Sequence, residues 1–215
     1  NRYHGGDAVW YCQVPLPAMA ALDLSRADPA AVAHRGRLLE GMAHAVARKG
    51  YADATIADIV AEAGVSRRTF YEHFTGKPDC FIALYEAASR NALKVLREAI
   101  APAQHWEEQL ERAIGAYLQC MAANPVLMRT LFVEILALGP EGLEARRRVN
   151  QEIADYMMAV VNGGQGGTRV SPNLAMAVVG GIHELVLQAI EDGRVDELPA
   201  LTRTAAALVK AVAHR

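Results

Sequence analysis

Apolar side chains recur every three or four residues along most of this sequence, from about residue 28 to its end. That spacing places them on one face of an α-helix, whereas a β-strand would show apolar residues at alternate positions. Prolines, glycines and helix-capping residues divide the pattern into segments. The sequence therefore predicts an all-α protein of about nine helices.

From Pro78 onwards, the apolar pattern predicts six of these helices, at residues 78–100, 106–123, 126–138, 141–161, 172–191 and 198–213. Prolines or glycines separate most of them, because proline cannot continue a helix from within. The loop at 163–167 (GGQGG) does not predict a phosphate site, since no strand precedes it and no glycine-lysine-serine sequence ends it.

Residues 55–74 (TIADIVAEAGVSRRTFYEHF) predict two short helices joined by a turn. Thr55, with Asp58 three residues later, is a weak form of the capping-box signal for the first helix. Gly64 can adopt the left-handed conformation that ends that helix, and Ser66 caps the second one.

The second of these helices has an apolar face and a polar, cationic face. Phe70 and Phe74 are four residues apart, so they share the face that packs inward. The side chains left to project elsewhere are Arg67, Arg68, Tyr71 and His73. A helix-turn-helix reads DNA with such a second helix, although spacing alone favours an ordinary helical hairpin with a solvated second helix.

The flanking residues decide between these interpretations. From about Arg37 to Tyr85 the sequence resembles, without a gap, the N-terminal DNA-binding domain of the TetR family of one-component transcriptional regulators. The matching positions are Gly50-Tyr51, Thr55-Ile56, Ala63-Gly64-Val65-Ser66, Thr69-Phe70-Tyr71, His73-Phe74 and Lys77. Arg68 stands where glycine is frequent and Pro78 where an acidic residue is usual. Arg68 adds a cationic arm, so the base preference is not expected to follow that of a relative.

The resemblance implies three parts: an N-terminal extension at residues 1–27, a helix-turn-helix head at residues 28–77, and a helical ligand-binding and dimerisation body at residues 78–215. It also implies how the head binds double-stranded DNA. Base edges are expected to contact Arg67 and Arg68, with Tyr71 available as well. Phosphates are expected to contact Thr55, Ser66, Thr69, His73 and Lys77.

The extension at residues 1–27 has no sustained helical period. We interpret it as a strap packed on the protein, because basic residues are sparse and its aromatic residues need burial. The alternative, from extensions in the family, is an arm in the minor groove that uses Arg2 and Arg26.

The resemblance further implies a homodimer joined by the last two helices, which would read a palindromic operator. Ala175, Ala177, Gly180 and Gly181 suit the close approach of another backbone, although a mid-helix glycine costs about 1 kcal/mol. The alternative is that these residues make room for a bulky neighbour within one subunit. The last helix would complete a four-helix bundle through Leu201, Ala205, Leu208 and Val209.

An effector pocket is expected among the middle helices of the body. The candidate lining residues are aromatic, methionine and histidine side chains: Trp106, Tyr117, Met121, Met128, Phe132, Tyr156, Met157 and His183. Singly, each is better explained as a core residue. As a set they predict an apolar cavity with flexible walls for a small hydrophobic or amphipathic molecule. Glu134, His183 and Gln188 are the polar residues expected to orient it.

Charge is concentrated in the head. The formal net charge of -2 argues against a polycation that coats nucleic acid. Residues 64–77 nevertheless carry Arg67, Arg68 and Lys77 against Glu72 alone, and His73 could add to them. This local excess is compatible with binding at a specific DNA site.

Cysteine spacing and hydropathy favour a cytoplasmic protein. Cys12, Cys80 and Cys120 are far apart and form no CxxC pair, so we expect thiols in a reducing compartment. Charges or glycines interrupt each apolar run, so we expect no membrane span.

No catalytic or metal-binding pattern stands out. His183-Glu184 is not a zinc motif, because Leu187 occupies the position of the second histidine in HExxH. We expect no enzyme activity, metal or cofactor. The sequence favours a ligand-responsive transcriptional regulator, most simply a repressor released from its operator by the effector. The alternative is a helical small-molecule-binding protein or enzyme whose head no longer binds DNA.

Overall fold

The computed structural model describes residues 29–99, 106–163 and 170–214. Over these ranges the chain forms nine α-helices, two 3-10 helices and no strand, so the prediction of an all-α protein is confirmed. The N-terminal extension, predicted as a strap or an arm, lies outside the described residues, as does most of the loop at 163–167.

The head contains α1 (Pro29–Asp53), α2 (Ile56–Ala63) and α3 (Arg67–His73). Helix α4 (Lys77–Glu98) begins at the last residue of the head and carries the chain into the body. The body continues with α5 (Trp106–Ala122), α6 (Pro125–Phe132), a first 3-10 helix (Glu134–Leu138), α7 (Pro140–Asn162), α8 (Pro172–Glu191), a second 3-10 helix (Val195–Leu201) and α9 (Thr202–Ala213).

Local hydrogen bonds fix the ends of the two short helices of the head. Thr55 Oγ1 accepts the Asp58 N–H at 3.2 Å, and Asp58 Oδ2 accepts the Thr55 N–H at 2.9 Å, which completes the capping box. Gly64 has φ 60° and ψ 39°, the left-handed conformation that closes α2. Ser66 Oγ accepts the Thr69 N–H at 3.0 Å and caps α3. The capping signals read from the sequence are therefore confirmed.

Packing holds α3 in place. A helix of seven residues is not stable in isolation, because nucleation costs more than so few hydrogen bonds return. Phe70 is fully buried and Phe74 nearly so, with their ring centres 5.6 Å apart. The Arg35 guanidinium of α1 lies 4.6 Å from the centre of the Phe74 ring. The buried face of α3 thus fixes the direction in which its opposite face points.

Two predicted helices of the body are each divided in the structure. The helix predicted at 126–138 ends at Phe132, where hydrogen bonds to the third preceding residue take over, as from the Leu136 N–H to Val133 O at 3.2 Å. The helix predicted at 198–213 begins as a 3-10 helix that contains Pro199, which has no N–H for an α-helical ladder. Helix α9 therefore begins only at Thr202.

Two further expectations are corrected. Helix α8 is long and apolar enough to cross a membrane by length and composition, yet its valines at 178, 179 and 186 are buried within the body, as in a core helix. Cys80 is a buried free thiol, whereas Cys120 is disulfide-bonded, so the expectation of thiols is wrong for Cys120.

Candidate nucleic-acid interface and effector cavities

The outer face of α3 carries the side chains predicted to contact bases. Arg67, Arg68 and Tyr71 are all exposed, and Tyr71 is 56% accessible although it is aromatic. The Tyr71 ring stands edge-on to Phe70, with ring centres 5.5 Å apart. Arg68 Nε donates to Glu72 Oε1 at 3.1 Å, and both side chains are in solvent. Such an exposed pair contributes about 0.5 kcal/mol or less, so the guanidinium stays available to another acceptor.

Two hydroxyls predicted to contact phosphate stand at helix N-termini. Thr55 Oγ1 donates to Asp58 Oδ2 at 2.6 Å, and Ser66 Oγ lies 2.9 Å from Thr69 Oγ1. Lys49 bonds the same Asp58 carboxylate at 2.6 Å and, with Thr55, holds the pKa of that carboxyl well below its usual range. Thr55 and Ser66 are exposed at the positive ends of α2 and α3, where a phosphate is favoured.

His73 is partly buried beside Arg35 and His34. Burial lowers the pKa of His73, and the charges of Arg35 and His34 lower it further. The His34 and His73 ring centres are 6.5 Å apart. The expectation that His73 adds positive charge is therefore not met at pH 7. A neutral imidazole can still donate one N–H to a phosphate.

Lys77, which is predicted to contact a phosphate, makes several contacts within the chain. Its ammonium donates to the carbonyl oxygens of Tyr51 at 2.7 Å, Ala54 at 2.9 Å and Ala52 at 3.3 Å. It also lies 4.3 Å from the centre of the Tyr51 ring. These carbonyls stand at the negative end of α1, which a cation stabilises. Lys77 thus ties the start of α4 to the end of α1, and its contact with DNA stays a prediction.

A second contact joins the end of α1 to the body. Gly50 has φ 76° and ψ 163°, a conformation essentially confined to glycine, and it bends the end of α1. The next residue, Tyr51, donates its N–H to Glu134 Oε2 at 2.9 Å. Glu134 belongs to the first 3-10 helix, so this hydrogen bond links body to head, and the orientation of a ligand by Glu134 stays a prediction. We call Gly50, Tyr51, Lys77 and Glu134 the junction.

Two adjoining cavities of about 60 Å³ each lie within the body. Cavity A lies among helices α4 to α8, and cavity B lies among α4, α5, α7, α8 and α9. Seven of the eight predicted lining residues surround them: Met121, Met128 and Phe132 at cavity A, Tyr156 and Met157 at cavity B, and Tyr117 and His183 at both. Ligand binding by these residues stays a prediction.

Two of the predicted ligand contacts lie elsewhere. The Trp106 ring is 5.6 Å from the His214 ring, away from both cavities. Gln188 is on the exposed face of α8. In both cases residue type and spacing gave no information about which face of the helix turns towards the cavities.

A hydrogen-bonded pair forms the wall between the cavities. Tyr117 and His183 line both, and Tyr117 Oη lies 3.1 Å from His183 Nε2 in a buried position. Burial lowers the pKa of His183 to about 4, with a smaller effect of Arg146, and burial raises the pKa of the Tyr117 hydroxyl. Both groups are therefore neutral at pH 7. The Phe132 ring packs edge-on against His183 at 5.4 Å.

Cavity A has a polar side that the sequence analysis missed. It is lined by Arg146 of α7 and by the buried Asn91 and Asn124, while cavity B is almost wholly apolar. Arg146 lies in a run of charged residues that suggests a solvated face. The buried positions Ala145 and Val149 flank Arg146 in the helix. Their helical periodicity is the signal that could have placed Arg146 beside the core.

The outer surface of α8 and α9 is rich in small and apolar residues. The exposed positions are Ala177, Gly180 and Gly181 on α8, and Ala207, Leu208 and Ala211 on α9. A Cβ at Gly180 would meet no atom within 4 Å, so no neighbour inside the subunit requires glycine there. Ala205 and Val209, predicted for the dimer surface, are instead buried inside the subunit.

The head matches a known family. The profile described as bacterial regulatory proteins, tetR family, matches residues 38–84, from within α1 into α4. The fatty acid metabolism regulator protein of Bacillus subtilis (strain 168) is 24% identical over 121 residues, which are 56% of this chain and 61% of that protein. The HTH-type transcriptional activator FasR of Mycolicibacterium smegmatis is 26% identical over 98 residues, 46% of this chain and 45% of that protein. The chain thus spans about half to three fifths of these relatives.

Solved structures share the fold of both head and body. The fatty acid degradation regulator FadR from Bacillus halodurans has a TM-score of 0.69 at 20% identity, over 81% of this chain and 93% of that one. FadR from Bacillus subtilis, solved in complex with stearoyl-CoA, has a TM-score of 0.66 at 20% identity, over 80% and 96%. A TetR-family regulator from Streptomyces coelicolor has a TM-score of 0.65 at 21% identity, over 95% and 98%. The head at residues 38–84 thus matches the tetR family of bacterial regulatory proteins, and the chain shares its fold with a solved TetR-family regulator.

Proposed function

We propose that this chain is a cytoplasmic transcriptional regulator that binds a palindromic operator as a homodimer and is released by an acyl-chain effector. The junction is the observation that carries the proposal. Tyr51 accepts a hydrogen bond from Lys77 at the start of α4 and donates one to Glu134 of the body. One residue thus connects the surface suited to DNA with the part of the chain that contains the cavities.

The outer face of α3 supports the DNA-binding half of the proposal. Arg67 and Arg68 are exposed on a helix whose opposite face is fixed by Phe70, so they can enter a major groove. Thr55 and Ser66 stand where they can hold phosphates on either side. A helix of seven residues reads few base pairs, so a twofold dimer would present two copies about 34–36 Å apart.

The surface of α8 and α9 supports the dimer. Small side chains allow two backbones to approach closely, and Leu208 supplies an exposed apolar side chain beside Gly181. Leu208→Glu is expected to separate the subunits and weaken operator binding while helix content is retained. Light scattering that shows an intact dimer for this variant would contradict the placement of the interface.

The size of the cavities supports a ligand-driven switch. Each encloses about 60 Å³, well below the roughly 300–1,000 Å³ of drug-sized ligand sites, so an effector must move the walls apart. Met128 and Phe132 of that wall lie on α6, which leads directly into the 3-10 helix that holds Glu134. An effector releases DNA only if it binds the DNA-incompetent arrangement more tightly.

The chemistry of the cavities supports an acyl chain as effector. Cavity B is almost wholly apolar, as the burial of a hydrocarbon chain requires. One relative is named a fatty acid metabolism regulator, and a structural neighbour was solved with stearoyl-CoA.

The proposal is tested by selecting binding sites from random DNA duplexes with the full chain. The expected result is a palindrome that a dimer protects and that palmitate or palmitoyl-CoA releases. Selection that enriches no sequence would overturn the DNA-binding function and favour the small-molecule-binding alternative. A monomer that protects a full operator would overturn the dimer.

A further inference from the structure

Cavities A and B meet at one point, and that point is polar. Tyr117, Ile153 and His183 line both cavities, and a hydrogen bond of 3.1 Å joins Tyr117 to His183 there. A molecule that spans both cavities lies against this pair, and a path between the two side chains requires their hydrogen bond to break. The wall is therefore a gate whose opening has a defined chemical cost.

The cost of opening follows from burial. Tyr117 and His183 are both nearly inaccessible to water, so parting them without a replacement leaves buried polar groups unsatisfied. That penalty corresponds to about a tenfold or larger loss of affinity. A short chain that stays in cavity A avoids the penalty. A long chain incurs it once and then gains about fourfold in affinity for each methylene group buried in cavity B.

Cavity A also offers a place for a negative charge. Arg146 lines it, and no carboxylate or hydrogen-bond partner of Arg146 occurs in the described part of the chain. The guanidinium is half-buried, and it lies close enough to Tyr85 and His183 to influence both electrostatically. Asn91 and Asn124 supply further polar lining. A planar guanidinium without a partner is suited to a carboxylate or a phosphate.

We infer that cavities A and B form one site for an anionic amphiphile with an unbranched chain, in which Arg146 holds the anionic end and the Tyr117–His183 gate selects for chain length. The inference rests on the proposed acyl-chain effector and adds the residues that set its polarity and length. The anion is either a free carboxylate or a phosphate of an acyl thioester.

The gate is tested by calorimetric binding of saturated acids from hexanoate to stearate to the full chain without DNA. Tyr117→Phe removes the hydroxyl, so a ligand has no hydrogen bond to break. His183→Leu removes the imidazole, the other partner of the same hydrogen bond. Either variant should raise the ratio of stearate affinity to hexanoate affinity about tenfold. Circular dichroism establishes that each variant is folded. An equal change for hexanoate and stearate, or no change in both folded variants, would overturn the gate.

The anion site is tested with palmitate, its methyl ester and palmitoyl-CoA. Arg146→Gln should weaken palmitate about tenfold or more and leave the ester unchanged, while Arg147→Gln, at the exposed neighbouring position, should change neither. Palmitoyl-CoA weakened by Arg146→Gln identifies a phosphate as an acceptable anion, and palmitate alone weakened identifies a carboxylate site. Acid and ester weakened equally would overturn the role of Arg146.

These measurements separate the inference from the proposed function. Acids that bind with the expected dependence on chain length but never release a selected operator would leave the inference standing and overturn the proposed switch. If acyl compounds release the operator but Tyr117→Phe, His183→Leu and Arg146→Gln change nothing, the inference is overturned. The proposed function would then still stand.

Discussion

The head and the body present their candidate binding residues in opposite ways. In the head, Arg67, Arg68 and Tyr71 lie in solvent on one short helix whose ends are fixed by hydrogen bonds within a few residues of chain. In the body, Tyr117 and His183 are buried and meet across 66 residues of sequence. The surface suited to DNA therefore depends on local structure, whereas the cavities depend on packing between distant helices.

The largest expected effect separates the two faces of α3. Phe70→Ala removes a fully buried ring and should lower the free energy of unfolding by about 3–5 kcal/mol. Tyr71→Ala, at the next and exposed position, should change it by about 0.5 kcal/mol or less. Urea unfolding measures both. Similar losses for the two variants would show that the outer face of α3 is also packed.

The next largest effect is the loss of stability in acid that comes from a buried histidine of the body. Burial lowers the folded-state pKa of His183 to about 4, so the unfolded chain binds its proton first as pH falls from about 6.5. The stability that depends on neutral His183 is present above pH 6.5 and is lost progressively towards pH 4, by about 3 kcal/mol in total.

Urea unfolding at pH 7 and at pH 4.5 tests this loss. His183→Leu should show a smaller drop between the two values, because it has no imidazole to protonate. The loss of stability that comes from protonating Asp58 occurs at lower pH, since the pKa of that carboxyl is already below its usual range. An unchanged drop in His183→Leu would place the acid sensitivity elsewhere.

A smaller effect sharpens the description of the head. Arg67→Ala or Arg68→Ala should reduce discrimination between operator variants by about 1–3 kcal/mol, the contribution of a bidentate arginine–guanine contact. Glu72→Gln is the matched control, because it releases the exposed partner of Arg68 without removing a cation. Binding titrations on single-base operator variants make the measurement. Arginine variants that weaken all sites equally would assign these residues to phosphates.

The smallest effect tests the link between the two regions. Glu134→Ala removes the acceptor of the Tyr51 N–H and should reduce the coupling between effector and operator by about 1 kcal/mol. Glu134→Gln keeps an acceptor oxygen and should retain most of that coupling. The ratio of operator affinities with and without palmitoyl-CoA gives the coupling in each variant. The same ratio in Glu134→Ala as in the unaltered chain would remove the junction from the switch.

The sequence predicts structure best where a signal and its effect lie close together along the chain. Thr55, Gly64 and Ser66 act within four residues of their own positions, so the ends of α2 and α3 were readable from the chain. Lys77 and Glu134 act on residues 26 and 83 positions away, and nothing local indicates those partners. Leu208 and Val209 are adjacent and both apolar, yet only packing determines that Leu208 faces out and Val209 faces in.

The junction has a consequence for protein engineering. A chimaera cut between residues 77 and 78 would transplant Tyr51 without Glu134, so the grafted head should keep its operator but lose its response to the new body. Replacing only the outward side chains of α3 leaves the Tyr51 N–H and carbonyl contacts untouched. Retargeting a biosensor built on this scaffold therefore calls for substitution within α3, with the rest of the head left in place.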